Sequence, residues 1–170
     1  MKELPELNTI KDALLNTYLT KEVCDIGRNE VKRAKTIGEL IDVYKYYQTT
    51  LVGELFVPVT FFRTYMTDYW HELEQKGIYL DRKDFTLVNP KQHDILLLGD
   101  CFLRIVKDKK DFNRIVALHD SKVRVMLMGF SLCEVNIADE SNVEVQYINE
   151  HAQLVIKSKK EIIKLPRKRA

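Results

Sequence analysis

The residues of this chain whose types could do chemistry are few: four histidines (His71, His93, His119, His151), three cysteines (Cys24, Cys101, Cys133) and one run spelling a hydrolytic triad, His119-Asp120-Ser121. Nucleophilic catalysis needs a base within reach of the hydroxyl and a third group orienting that base, a geometry that adjacent residues do not reach. Turn chemistry accounts for the same three residues, because short polar side chains bond to nearby backbone and tolerate unusual dihedrals. None of the histidines or cysteines stands at the close spacing of a zinc site. Repeated turn aspartates invite comparison with calcium-binding β-rolls, but those are glycine-rich with a nine-residue period. This chain holds six glycines in 170 residues. No dinucleotide fingerprint, P-loop or nucleophile elbow occurs. The expectation is therefore a non-enzyme, with no catalytic residue, no cofactor and no metal.

Charge offers a second kind of chemistry. The net charge is +2, yet residues 157–170 carry seven bases and one acid, leaving residues 1–156 at −4. Lys159, Lys160, Arg167, Lys168 and Arg169 are candidate nucleic-acid contacts, acting through phosphate neutralisation. The alternative is a solvated tail that protects the last strand from edge pairing. The mildly acidic body lacks a basic face with interleaved aromatics, which argues against a dedicated nucleic-acid-binding domain.

These residues must be placed by the elements around them. The first half of the chain is helical in pattern. Asn8 serves as an expected N-cap for a stripe of Ile10, Ala13, Leu14, Thr17 and Tyr18. Val23 to Lys35 is a more polar helix weakened by Gly27. Thr36-Ile37-Gly38-Glu39 fits the capping box and opens a helix with Leu40, Ile41 and Tyr44 on one face. A loop over 49–57 leads to Pro58, a first-turn proline, and to a helix whose apolar stripe runs Val59, Phe62, Tyr65, Met66, Tyr69, Trp70, Leu73 before Gly77 ends it. Residues 44–79 hold ten of the sixteen aromatic residues. Most fall on core stripes. Tyr46 and Phe61 fall off them and are the candidate exposed anchors for a partner.

The second half repeats every ten residues. Ile95, Ile105, Ile115, Val125, Val135, Val145, Val155 and Leu165 are all branched aliphatics, with further apolar residues two places before and after most of them. Leu97, Ala117, Leu127, Ile137 and Tyr147 form the later column; His93, Asn113, Gln153, Lys107 and Lys157 interrupt the pattern. Alternation within each unit is the period of a half-buried strand. Asp94, Arg104, Arg114, Arg124, Glu134 and Glu144 fall between the apolar columns and point outward, and Ser121, Ser131 and Ser141 recur at one phase of the turns. Arg104, Arg114 and Arg124 are the candidate partner-binding surface.

Two architectures suit a strand and a turn every ten residues. In a β-solenoid, successive units lie on alternate walls and stack to bury one apolar seam. In an antiparallel meander, two-residue hairpins of the Asn-Gly or Asp-Gly kind would be expected; neither pair occurs in the chain. The expected fold is α+β: a helical region over 1–90 capping a solenoid-like repeat over 91–165, with a basic tail over 166–170, and the meander as alternative.

Gly38-Glu39-Leu40-Ile41-Asp42-Val43-Tyr44, Gly77-Ile78-Tyr79-Leu80-Asp81, Asn89-Pro90, Leu98-Gly99-Asp100-Cys101 and His119-Asp120-Ser121-Lys122-Val123-Arg124-Val125 resemble small proteins encoded in phages and mobile elements of gut-type bacteria. The segment over 49–58 departs from the pattern of those proteins. The resemblance implies a helical N-terminus with short repetitive β units and no reaction. It makes an inhibitor of a bacterial defence nuclease, in the manner of an anti-CRISPR protein, the leading expectation. Its partner would be a host CRISPR-associated nuclease or that nuclease with its guide RNA. The alternatives are an assembly module of a mobile element, self-associating as a homodimer, and a regulator that binds nucleic acid through the basic tail. The N-terminus lacks the apolar stretch of a secretory signal, no run approaches bilayer length, and the cysteines are too few for a disulfide framework, so a cytoplasmic protein without membrane contact is expected.

Overall fold

The structure is a computed structural model and describes residues 6–18, 25–50, 57–138, 140–158 and 162–164. The chain divides into two compact units, Met1–Lys76 and Gly77–Ala170. Helices fill the first, and parallel strands wound as a β-solenoid fill the second, an α+β layout.

In the helical unit, α1 spans Leu7–Ala13, α2 Asp25–Arg33 and α3 Ile37–Thr50. The cap of α1 is Glu6 rather than Asn8, which lies inside the first turn. Where α2 ends, the Lys11 ammonium donates to the carbonyls of Lys32 (2.6 Å) and Ala34 (2.8 Å), meeting acceptors that a helix C-terminus leaves open. The capping box of α3 forms in shifted form. The Glu39 amide donates to Thr36 Oγ1 at 3.1 Å, while the Glu39 carboxylate accepts from the amide of Lys35 at 2.6 Å.

The helix expected after Pro58 is present but changes pitch three times: α4 (Val59–Phe61), a π turn (Phe62–Met66), a 3₁₀ turn (Thr67–Tyr69) and α5 (Trp70–Gln75). Thr64 Oγ1 bonds to the Thr60 carbonyl and Thr67 Oγ1 to the Arg63 carbonyl, competing with the regular ladder. The wide turn broadens the apolar face, so Phe61 and Phe62 are both buried. Phe61 therefore is not an exposed anchor: its ring packs 5.4 Å from Phe62 and 5.3 Å from Tyr65. Trp70, expected in the apolar stripe, is instead 45% exposed.

Among the described residues, the solenoid unit contains ten strands in two sheets. A six-stranded sheet runs β1 (Ile78–Leu80), β3 (Asp94–Leu98), β5 (Phe112–Ala117), β7 (Leu132–Ile137), β9 (Gln153–Ser158), β10 (Ile162–Lys164). A four-stranded sheet runs β2 (Phe85–Val88), β4 (Phe102–Lys107), β6 (Lys122–Leu127), β8 (Asn142–Ile148). All pairings are parallel except β9–β10. A meander would pair sequential strands antiparallel; here the chain alternates between walls and each strand meets the one two places on.

Residues twenty apart therefore stack within a sheet, as Ile105, Val125 and Val145 do, while residues ten apart enter the core from opposite walls. The core so formed holds Ile95, Leu97, Leu103, Ile105, Ile115, Val123, Val125, Leu127, Val135 and Leu154, all buried. Leu96 and Leu98, on the other face of β3, are buried too, so Ile95–Leu98 reads as a continuous apolar run.

The first coil is shorter. Ile78 stands opposite Leu96, and Phe85 opposite Leu103, a step of 18 residues in each case. The parallel strands accordingly begin at Ile78, ahead of residue 91. A second departure lies in β8, where a bulge opposite the Val125–Met126 step of β6 admits one extra residue, Gln146, so Met126 stands opposite Tyr147. Beyond it the phase moves by one. Tyr147, expected in the core, points outward and is 51% exposed, and Ile156 replaces Val155 in the core opposite Val135. Past β9 the chain folds back: Ile163, which the period placed in the next unit, lies in β10 antiparallel to Ile156. Leu165 lies outside the described residues.

Polar ladders hold the corners. Ser121 Oγ donates to the Gly99 carbonyl at 2.9 Å, and Ser141 Oγ to the His119 carbonyl at 2.8 Å, each one coil back. Gly99 and His119, twenty apart, both have left-handed backbone, φ +76° and +63°. At another corner Gly129 has φ +59°, and a Cβ there would lie 2.7 Å from the Asp108 carbonyl oxygen. Only glycine suits that position.

Candidate functional site

Side chains alternate across each strand, so the residues of the four-stranded sheet that do not enter the core form its outer face. The register arranges them in three rows. One row is apolar: Val88, Val106, Met126, Tyr147. The next is charged: Thr86, Arg104, Arg124, Glu144. The third holds Phe102, Lys122 and Asn142. Val88 and Tyr147, at the two ends of the apolar row, are 64% and 51% exposed, and Val106 and Met126 between them are half-buried.

Electrostatics fixes the middle rows. Arg104 pairs with Asp84 at 2.5 Å, and Arg124 with Glu144 through Nε (3.0 Å) and Nη2 (2.9 Å). Both guanidinium groups also lie over the Phe102 ring, at 5.1 and 5.2 Å from its centroid, so one ring holds two cations in place. Lys83 pairs with Asp100 at 2.8 Å. Hydrogen bonding and the Asp100 charge hold the Lys83 ammonium above its ordinary value. Lys83, Asp84 and Asp100 wall one end of this face, and together with Phe102, Lys122, Arg124, Asn142 and Glu144 they enclose a groove of about 560 Å³.

The three candidate arginines do not share a face. Arg104 and Arg124 are neighbours in the four-stranded sheet, whereas Arg114 lies on the six-stranded sheet between Asp94 and Glu134. Arg114 Nε bonds to Asp94 Oδ1 at 2.7 Å, and Lys157 Nζ to Glu134 Oε2 at 2.7 Å. Burial works to raise the Asp94 carboxyl, but the Arg114 hydrogen bond and charge, with help from His93, hold it below the usual carboxylate range. Glu134 is held low in the same way by Lys157 and Asn136 against the effect of burial. Tyr46 is 62% exposed on α3, edge-on to Tyr47 at 5.3 Å. Lys159, Lys160, Arg167, Lys168 and Arg169 lie outside the described residues.

The triad letters and the two described cysteines, Cys101 and Cys133, serve the corners and core; Cys24 lies outside the described residues. Ser121 is engaged in the corner ladder, and His119 and Asp120 form the turn beside it. Burial pushes the thiols up, Cys101 to about 11 and Cys133 to about 12, so both are neutral at physiological pH. Among the described residues no group of His, Cys, Asp or Glu could hold a metal ion, and no helix is long and apolar enough to cross a membrane. Lys107 and Asn113, which looked like interruptions of the repeat, meet inside the solenoid. The Lys107 ammonium, fully buried, donates to Asn113 Oδ1 and pairs with Asp111, while Asn113 Nδ2 donates to the carbonyls of Pro90 (3.2 Å) and Gln92 (2.5 Å).

The ten-residue period alone does not reveal the apolar row, because the bulge puts Tyr147 out of phase with Val106 and Met126. The alternation of Val106 and Met126 with core residues was the available signal. Comparison of the chain with protein-family models, with curated proteins and with solved structures finds no match.

Proposed function

We propose that this chain is a non-catalytic protein-binding module that engages its partner through the outer face of the four-stranded sheet. One observation carries the reading: the register lines up Val88, Val106, Met126 and Tyr147 as an apolar row beside a row of arginines and acids. A contiguous exposed apolar patch rimmed by polar residues is a feature of protein-interaction sites, and Tyr, Met and Arg are enriched there. The rigid stacking of the coils presents this row without an ordering cost on binding. The resemblance to phage and mobile-element proteins makes a host-defence nuclease the first partner to test, blocked by occupancy rather than by chemistry.

The test is capture of CRISPR-associated nucleases, with and without guide RNA, by the wild-type chain and by Met126→Lys. Met126 points away from the core, so the variant keeps the fold, as circular dichroism will verify. The expected result is capture of a nuclease by the wild type and at least about tenfold weaker binding by the variant, a difference of about 1.4 kcal/mol. Equal binding by Met126→Lys overturns the docking face; failure of the wild type to bind any such nuclease overturns the partner.

A further inference from the structure

Counting charges along the solenoid strands isolates one residue. Among the described side chains of β1 to β9 there are six cations, and five have a carboxylate partner: Arg104 with Asp84, Lys107 with Asp111, Arg114 with Asp94, Arg124 with Glu144 and Lys157 with Glu134. In four of these pairs the two groups stand on neighbouring coils, so the matching follows the stacking itself. Lys122 is the sixth. It is exposed, its register neighbours are Phe102 and Asn142, and no carboxylate among the described residues meets it. It is also in the groove of about 560 Å³, a volume within the range of ligand sites.

We infer that this groove seats a carboxylate: an acidic side chain of the bound partner pairs with Lys122 from outside the sheet, as Glu144 pairs with Arg124 within it. The groove supplies an ammonium with three donors from Lys122 and the free side-chain amide of Asn142. Phe102, with Arg104 and Arg124 held over its ring, forms the floor. The charges around this seat decide between anions. Asp84, Asp100 and Glu144 line the same groove, so a dianionic phosphate meets more repulsion than a single carboxylate does, and the unmatched charge is one.

The inference rests on the docking face and adds the chemistry of what docks. Lys122 and Met126 are four residues apart on β6 and share its outer face, which places them about 13 Å apart. A partner segment matching both would set an acidic residue and an apolar residue at that separation, four residues apart if extended. The same carboxylate chemistry could come from a free small dicarboxylate.

Amide-resolved NMR titration of the full chain distinguishes these sources with three probes: glutarate, acetyl-Glu-Ala-Ala-Ala-Leu-amide, and the same peptide with Gln for Glu. The expected result is saturable shifts at Lys122, Arg124 and Asn142 with the Glu peptide. Binding should be at least threefold weaker with the Gln peptide, weaker still with glutarate, and at least threefold weaker for the Glu peptide in Lys122→Gln. Raising the salt concentration should weaken the Glu peptide further, as screening of an exposed charge requires. Glutarate binding as tightly as the Glu peptide would assign the seat to a small metabolite rather than to a partner's side chain and overturn the proposal in its stated form. Equal binding of the Glu and Gln peptides, no localised shifts, or an unchanged response in Lys122→Gln would overturn the seat itself. Met126→Lys separates the two readings. If the seat fails while Met126→Lys still weakens nuclease capture, the docking face stands without it; if peptide shifts persist at Lys122 while Met126→Lys leaves capture unchanged, the seat stands and the face fails.

Discussion

Lys107 and Asn113 show what single residues do in a stacked core. An ammonium in the interior is tolerated only when paired and hydrogen-bonded. Here Asn113 satisfies Lys107 with one end of its amide and two carbonyls near Pro90 with the other. The corner of one coil is thereby tied to the strand of the next. Asn113→Leu takes one acceptor from the buried ammonium, which keeps Asp111, and leaves the Pro90 and Gln92 carbonyls unmet. It is expected to cost about 1–3 kcal/mol for each carbonyl. Lys107→Met leaves one amide oxygen unmet and is expected to cost about 1–3 kcal/mol. Urea unfolding midpoints at constant slope will rank the two, and a Lys107→Met variant weaker than Asn113→Leu would contradict the geometry. In the sequence these residues were legible only as breaks in an apolar column, because the period states which wall a side chain faces and is silent on which polar groups meet there. The same limit applies to Arg104, Arg114 and Arg124: equal phase marked all three as outward, and alternation of walls separates Arg114 from the other two.

At the scale of elements, the bulge in β8 decides which residues form the candidate site. The extra residue at Gln146 turns Tyr147 out to complete the apolar row and moves Ile156 into the core. Since Gln146 opposes no residue of β6, deleting it restores a regular ladder and is expected to change stability by less than about 0.5 kcal/mol, an ordinary surface value. Deleting Arg124 instead shifts the second half of β6 by one residue and turns its core side chains outward, so that variant is expected not to fold. Thermal unfolding of both tests the register. Strand existence, alternation and turn positions were legible because each ten-residue unit restates them. The bulge, the 18-residue first coil and the reversed β10 were not, because each occurs once and breaks the period that carries the signal. In the helical unit the π turn at Phe62–Met66 had the same effect, bringing Phe61 into the core.

At the scale of the whole molecule, the ion pairs that bridge neighbouring coils make stability depend on pH. Asp94 and Glu134 both have carboxyls held below their ordinary range in the folded state. A group depressed by folding contributes stability above its unfolded value, and the contribution is lost as pH falls through the folded one. The solenoid is therefore expected to lose stability below about pH 4, the ordinary carboxylate range. Asp94→Asn and Glu134→Gln should flatten that loss, each lowering stability at pH 7 by about 1 kcal/mol or less, because both pairs are partly exposed. Melting temperatures at pH 7 and pH 3 measure both effects.

The docking face and the carboxylate seat both require that residues twenty apart be neighbours and residues ten apart lie on opposite walls. Oxidative cross-linking of paired cysteines tests this most directly. Adjacent strands lie about 4.8 Å apart, within disulfide reach, whereas opposed sheets lie about 10 Å apart. Arg104→Cys with Arg124→Cys should close a disulfide under mild oxidation, and Arg104→Cys with Arg114→Cys should remain reduced within the monomer. A cross-link in the second pair and none in the first would contradict the coil and, with it, the face on which the proposed function rests.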